Sequence, residues 1–210
     1  TQKALARIRY NRVAPLAYAN ATLTNITAAN NTYSVDDDAQ PANAIDSGFL
    51  IKGAGYLRTT IQTLDNLALG LTSFISGQTF DPDTDYNYLL RVLAGNYEYY
   101  DPEQNDFVNT NEAAVVDDVL SIEVCNRKIN YVVYRQDNEL LRAELNYYYD
   151  LSLNFQPFIV LINTAVVSIP IYTQDPGWII DLEGNIVKND TQSMYKSIEM
   201  TEDYQLGAIP

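Results

Sequence analysis

The sequence predicts an α+β fold. Its helical N-terminal and middle part is organised around a long central helix at about residues 56–76. Antiparallel β hairpins form the C-terminal part, and both termini are extended. Two observations predict this class: apolar residues recur at helical spacing between residues 56 and 76, and the segments after residue 157 are rich in valine and isoleucine. A length of 210 residues with 47% hydrophobic content favours one domain with a packed core.

We divide the chain into a basic N-terminal arm at 1–19, a single α+β domain at 20–188 and a polar C-terminal tail at 189–210. Four basic residues lie in the first twelve positions: Lys3, Arg7, Arg9 and Arg12. No acidic residue precedes Asp36, so a +4 arm is followed by a body of about −18, given the net charge of −14. The arm is either a short helix with a solvated basic face or a segment that docks on an acidic surface of a neighbouring subunit.

After the arm, the residues around 23–27 and 32–35 predict two short strands joined by a turn at Asn30 and Asn31. The central helix follows at 56–76. Its seam consists of six apolar residues: Leu57, Ile61, Leu64, Ala68, Leu71 and Ile75. At about 1.5 Å per residue this helix is roughly 30 Å long. It is either a core helix or a helix packed against copies of itself.

Three aspartates at alternating positions follow: Asp81, Asp83 and Asp85. They match the start of a calcium loop, but Tyr86 and Val92 occupy the places of its glycine and its bidentate glutamate. The favoured interpretation is capping of a helix at 86–94.

The segment at 112–120 predicts a short helix, and the segments at 121–125 and 129–134 predict strands, with Ile129, Tyr131 and Val133 on one face. Asp137 and Asn138 then predict the start of a further helix. Its inner face consists of Leu140, Leu141, Leu145 and Tyr148. The last predicted elements are strands at 158–162 and 165–172, turned at Asn163, and a hairpin of 178–182 with 185–188.

The composition argues against common catalytic chemistry. The chain has no histidine, which removes the commonest general base and metal ligand. Its single cysteine, Cys125, has no partner for an internal disulfide and is predicted to be buried and inert. No phosphate-binding glycine loop is present. We therefore predict no enzyme activity, no cofactor and no metal site.

The 17 tyrosines are the strongest remaining signal. They form clusters that include Tyr97, Tyr99 and Tyr100, and Tyr147, Tyr148 and Tyr149. A tyrosine combines an apolar ring with a polar tip, which suits subunit interfaces. The same clusters are also compatible with the margins of a monomer core or with a sugar-binding platform.

These observations predict a non-enzymatic structural subunit of a larger particle, such as a virus or bacteriophage capsid, neck or tail. The predicted interface comprises the four arm residues and the two tyrosine clusters, and the predicted partners are copies of the chain or other structural subunits. An acidic chain should not bind nucleic acid. Neither a signal peptide nor a membrane-spanning segment is visible, so the predicted location is the virion, or otherwise the cytoplasm. The alternatives are a carbohydrate- or surface-binding module and a carboxylate-dependent hydrolase.

Overall fold

A computed structural model describes residues 16–17, 21–37, 40, 42–46, 54–73, 81, 83–125, 128–148, 153, 155–172, 178–180 and 186–188. These residues form strands, turns and short connections, and no helix occurs among them. In this part of the chain, accordingly, no helix is long and apolar enough to cross a membrane.

The strands, in chain order, are β1 Leu16–Ala17, β2 Ala21–Thr24, β3 Ile26–Ala29, β4 Thr32–Val35, β5 Ala42–Asp46, β6 Ala54–Thr63, β7 Leu67–Thr72, β8 Tyr88–Leu93, β9 Asn96–Asp101, β10 Asp106–Ala113, β11 Val119–Cys125, β12 Lys128–Arg135, β13 Asn138–Tyr148, β14 Gln156–Leu161, β15 Val166–Ser168, β16 Ile171–Tyr172, β17 Trp178–Ile180 and β18 Ile186–Lys188.

Two antiparallel sheets form a β-sandwich. The seven-stranded sheet has the order β10-β9-β8-β7-β14-β5-β2. The nine-stranded sheet has the order β13-β12-β11-β6-β15-β4-β3, and the short β16 and β1 attach beside β6. A separate pair, β17 and β18, forms the predicted C-terminal hairpin.

The core lies between the two sheets because alternate residues of each strand point inward. In β7, Leu67, Leu69 and Leu71 are buried, and they face the other sheet together with Leu90 and Val92 of β8. The nine-stranded sheet contributes a second set to the same core: Leu57, Ile61, Leu120, Ile122, Ile129, Tyr131 and Val133. The outward-facing residues of each strand form the two outer surfaces of the molecule.

The predicted helix at 56–76 is wrong, and with it the α+β class. The segment begins within β6, turns at Asp65 and continues through β7. Because four is a multiple of two, residues four apart share a face in a strand as well as in a helix. Leu57 and Ile61 therefore both face the sandwich core from β6. Leu64, which a helix would bury, is instead 42% exposed in the turn.

Three other segments predicted to be helical are not helices either. The segment at 86–94 contains β8, the segment at 112–120 spans the end of β10 and the start of β11, and the segment after Asp137 is β13. The predicted strands at 121–125 and 129–134 are confirmed as β11 and β12, and the turn at Asn30 and Asn31 is confirmed by positive φ values of 50° and 62°. The predicted tail at 189–210 lies outside the described residues.

Candidate functional site

The outward face of the seven-stranded sheet carries three aromatic rings near its β10 edge. Phe107 of β10 is directly opposite Tyr100 of β9, and Tyr86 precedes β8. The ring centroids of Tyr86 and Tyr100 are 4.9 Å apart in an edge-to-face arrangement, and Phe107 lies 5.9 Å from Tyr86 and 5.5 Å from Tyr100. All three side chains are half-buried. We call these three residues the aromatic triad.

A polar row crosses the same face one step along the strands. Asn109, Glu98 and Arg91 occupy directly opposed positions on β10, β9 and β8. Arg91 Nη2 donates to Glu98 Oε2 at 2.6 Å and Arg91 Nε donates to the same oxygen at 2.8 Å, while Asn109 Nδ2 donates to Glu98 Oε1 at 3.1 Å. The Arg91 guanidinium carbon lies 3.4 Å from the Phe107 ring centroid. This row therefore joins the aromatic triad to charged and amide groups.

The surroundings of Tyr86 favour its neutral phenol. Burial, followed by the neighbouring Tyr100, raises the pKa of Tyr86. Its phenol is therefore neutral at physiological pH and can donate a hydrogen bond. Tyr100 already donates to Asn105 Oδ1 at 2.7 Å, which orients its ring.

A second cluster lies at one end of the sandwich, where β11 begins and β12 ends, and has a structural role. Asp118, 1% exposed, accepts from Arg135 Nε at 2.8 Å, Arg135 Nη2 at 2.7 Å and the Tyr97 hydroxyl at 2.5 Å. Although burial acts to raise the pKa of Asp118, these hydrogen bonds and the one from the Val115 amide lower it overall. The cluster ties β9 to the start of β11 and the end of β12.

A third cluster covers the outward face of the nine-stranded sheet. Glu123 accepts from Arg58 at 2.6 Å and from the Tyr134 hydroxyl at 2.7 Å. The Arg58 guanidinium lies over two rings, 4.3 Å from Tyr56 and 5.1 Å from Tyr134. Although burial acts to raise the pKa of Glu123, the hydrogen bonds from Tyr134 and Arg58 lower it overall. Because these charges are paired within the sheet, they favour a role in packing over ligand binding.

The structure separates the tyrosines of the first predicted cluster. Tyr97 is buried in the core, and Tyr99 also points inward, where its ring stacks on Tyr131 with 5.3 Å between centroids. Tyr100 points outward and is the member that joins the candidate site. Alternation along β9 accounts for this division. That signal is present in the sequence, although the helical assignment of the neighbouring segments obscured it.

The other predicted interface residues fall largely outside the described part of the chain. This applies to Lys3, Arg7, Arg9, Arg12 and Tyr149, and to the side chains of Tyr147 and Tyr148, whose backbone belongs to β13. The side chain of Cys125 is likewise not described. The interface and virion assignments therefore stay predictions.

Sequence reasoning missed Phe107, Arg91 and Glu98 as members of a site. They meet only because of the register of β8, β9 and β10. The three aspartates in front of β8 bind the backbone of their own turn: Asp81 Oδ1 accepts from the Asp83 amide at 3.0 Å and Asp85 Oδ2 accepts from the Asp81 amide at 2.8 Å. They cap a turn, not the helix that was predicted. No group of three metal-ligating side chains converges within the described residues.

Comparison with known proteins identifies the fold. No protein-family model matches the sequence, and no curated protein matches it. Among solved structures, the VIP36 exoplasmic/lumenal domain in its Ca²⁺/Man₃GlcNAc-bound form is similar, with a TM-score of 0.55 and 8% identity, covering 78% of this chain and 89% of that chain. The same domain in its Ca²⁺/Man₂-bound form gives a TM-score of 0.51 at 7% identity, covering 73% of this chain and 80% of that chain. Stonustoxin gives a TM-score of 0.51 at 9% identity, covering 71% of this chain but only 27% of that chain. At these identities the likeness concerns the β-sandwich alone.

Proposed function

We propose that this chain is a non-enzymatic carbohydrate-binding module and that its ligand lies against the aromatic triad. The observation that carries the proposal is the placement of Tyr86, Tyr100 and Phe107 beside Glu98 and Arg91 on an outward sheet face. Aromatic rings beside a few convergent polar groups are the usual composition of a small-molecule site.

The chemistry of a sugar matches this surface. A pyranose ring has faces of C–H groups, which pack on an aromatic ring, and a rim of hydroxyls that both donate and accept hydrogen bonds. Tyr86 offers its phenol, which has no partner among the described residues. Glu98 offers acceptor lone pairs, and Arg91 uses only Nε and Nη2 on Glu98, which leaves Nη1 available to a ligand hydroxyl.

The similarity in fold supports the same proposal. The VIP36 domain, a β-sandwich of comparable extent, has been solved with Ca²⁺ and mannose-containing sugars bound. A sandwich of this kind is therefore a suitable scaffold for sugar recognition, although fold alone does not define function. The proposed site in this chain consists of rings and paired charges.

Glycan-array screening followed by calorimetric titration of the best ligand tests the proposal. We expect Tyr100→Ala and Tyr86→Ala each to weaken binding by about 2- to 10-fold, because each removes a stacking surface of about 0.5–1.5 kcal/mol. The matched control is Tyr56→Ala, an outward-facing tyrosine of the other sheet. Binding that survives both triad substitutions, or no binding to any glycan, contradicts the proposal.

A further inference from the structure

One end of the sandwich carries most of the exposed apolar side chains. Of the seven large apolar side chains that are exposed in the described part of the chain, five lie there: Leu64, Leu93, Val115, Val116 and Ile162. They are 36–44% exposed. They occupy the turns β6–β7, β8–β9, β10–β11 and β14–β15, which all lie at the same end because the strands are antiparallel. We call this surface the apolar end.

Hydrogen bonds that backbone amides donate hold these turns together. The Ile162 amide donates to the Asn66 carbonyl at 3.0 Å, and the Ala94 amide donates to Asn66 Oδ1 at 2.9 Å. The Ala114 amide donates to the Gly95 carbonyl at 2.9 Å. The polar backbone of the turns is thus satisfied internally while their apolar side chains face outward. Clustered exposure of this kind marks an interaction surface, whereas isolated exposed residues do not.

The rim of the apolar end is acidic. Asp36, Glu112, Asp117 and Asp137 are exposed at this end, and the ion pairs of the described residues do not include them. A cleft of about 440 Å³ opens between Asp36 and Asn163. Arg135, the cation of the described turns here, is already bound to Asp118. The surface therefore suits a ligand that is both apolar and basic.

The N-terminal segment 1–14 of this chain has that composition. It carries Lys3, Arg7, Arg9 and Arg12 without any acidic residue, interspersed with Leu5, Ile8, Tyr10 and Val13. Two bodies of about −18 charge repel each other, so a contact that includes this positive segment favours association between copies.

The described residue nearest to the segment lies away from the apolar end. Leu16 pairs with Tyr172, which pairs with Leu57 near the start of β6, whereas the apolar end adjoins the end of β6. We propose that residues 1–14 of one copy dock on the apolar end of the next copy, which gives a head-to-tail assembly. This proposal does not depend on the sugar-binding site, which lies on a sheet face.

Two full-length variants test it by complementation. The arm variant carries Lys3→Glu, Arg7→Glu, Arg9→Glu and Arg12→Glu; the end variant carries Val115→Ser, Val116→Ser and Ile162→Ser. In sedimentation over a concentration and salt series, we expect wild-type self-association and at least about 10-fold weaker association of each variant. An equimolar mixture should recover a one-to-one complex, because the end variant still has an intact arm and the arm variant an intact end.

The matched control is Leu23→Ser. Leu23 lies on β2 and is 38% exposed, and this variant should associate as wild type does. Circular dichroism of every variant verifies folding. Any of three outcomes overturns the proposal: the wild type is monomeric at all concentrations, the variants associate normally, or the mixture fails to form the complex. Binding to neutral phosphatidylcholine vesicles that the end variant loses also overturns it, since it would assign the apolar end to lipid.

Discussion

Phe158 lies directly across the backbone of Gly70 on the outward face of the seven-stranded sheet. A Cβ at Gly70 would come within 2.3 Å of Phe158 Cζ and 2.8 Å of Leu89 Cδ1. Phe158 is fully buried although it points away from the sandwich core. Glycine in the middle of β7 is therefore a packing requirement, because it lets the ring approach the neighbouring backbone.

We expect Gly70→Ala to reduce the free energy of unfolding by about 1–3 kcal/mol through overpacking, as measured by urea denaturation. Gly95→Ala is the control, since nothing lies within 4 Å of its added carbon and only its positive φ of 81° opposes the change. Adding Phe158→Leu to the Gly70→Ala variant should restore part of the loss. If Gly70→Ala proves neutral, the close packing described here is incorrect.

Asp118 and Arg135 predict an acid-sensitive stability. The pKa of Asp118 is below its usual value, so its stabilising effect is complete above about pH 4 and is lost as the pH falls through the lower folded-state pKa. Asp118→Asn should cost about 2 kcal/mol at pH 7, because it weakens the hydrogen bonds that Arg135 and Tyr97 donate to a buried carboxylate. Stability should then fall less with acidification than in the wild type. Glu103→Gln, at an exposed site, is the control for general charge effects; a parallel acid response in all three proteins would contradict the assignment.

Tyr33 predicts a loss of stability at alkaline pH. Burial, and then the charge of Asp46, raises the pKa of Tyr33 to about 12, whereas an unfolded tyrosine titrates near about 10. The folded state favours the neutral phenol, so this contribution is complete below about pH 10 and is lost as the pH rises towards 12. Its size is roughly 3 kcal/mol, from two pKa units at about 1.4 kcal/mol each. Tyr33→Phe should therefore flatten the fall in urea-denaturation stability over this range, and an unchanged slope would show that Tyr33 ionises freely.

Several local features of this fold were predictable from the sequence. Asn30 and Asn31 tolerate positive φ, so the turn between β3 and β4 was assigned correctly. Ile129, Tyr131 and Val133 alternate with outward residues, and all three are buried on one face of β12 as expected. Strand alternation was thus readable wherever no residue spacing favoured a helix.

The central error arose where two periods coincide. Leu57 and Ile61 have a spacing that fits both a helix and a strand. The turn at Asp65 then shifts the chain so that Ala68 and Leu71 of β7 continue the helical spacing. Thr59, buried and β-branched between Leu57 and Ile61, is the residue that favours the strand. The candidate site could not be predicted in the same way, because Arg91 meets Phe107 through strand pairing and not through any local motif.

The aspartates before β8 predict insensitivity to calcium. The carboxylates of Asp81 and Asp85 each accept a hydrogen bond from a backbone amide within the turn, which directs them to the chain itself. Thermal unfolding should therefore be the same in Ca²⁺ and in EDTA, and any glycan bound at the aromatic triad should bind equally in both. Asp83→Asn should leave the melting temperature unchanged, since the Asp83 residue contributes its amide to this turn. A ligand that binds only the folded state raises the melting temperature as its concentration rises. If Ca²⁺ has this effect on the wild type but not on Asp83→Asn, a metal site lies beside the triad.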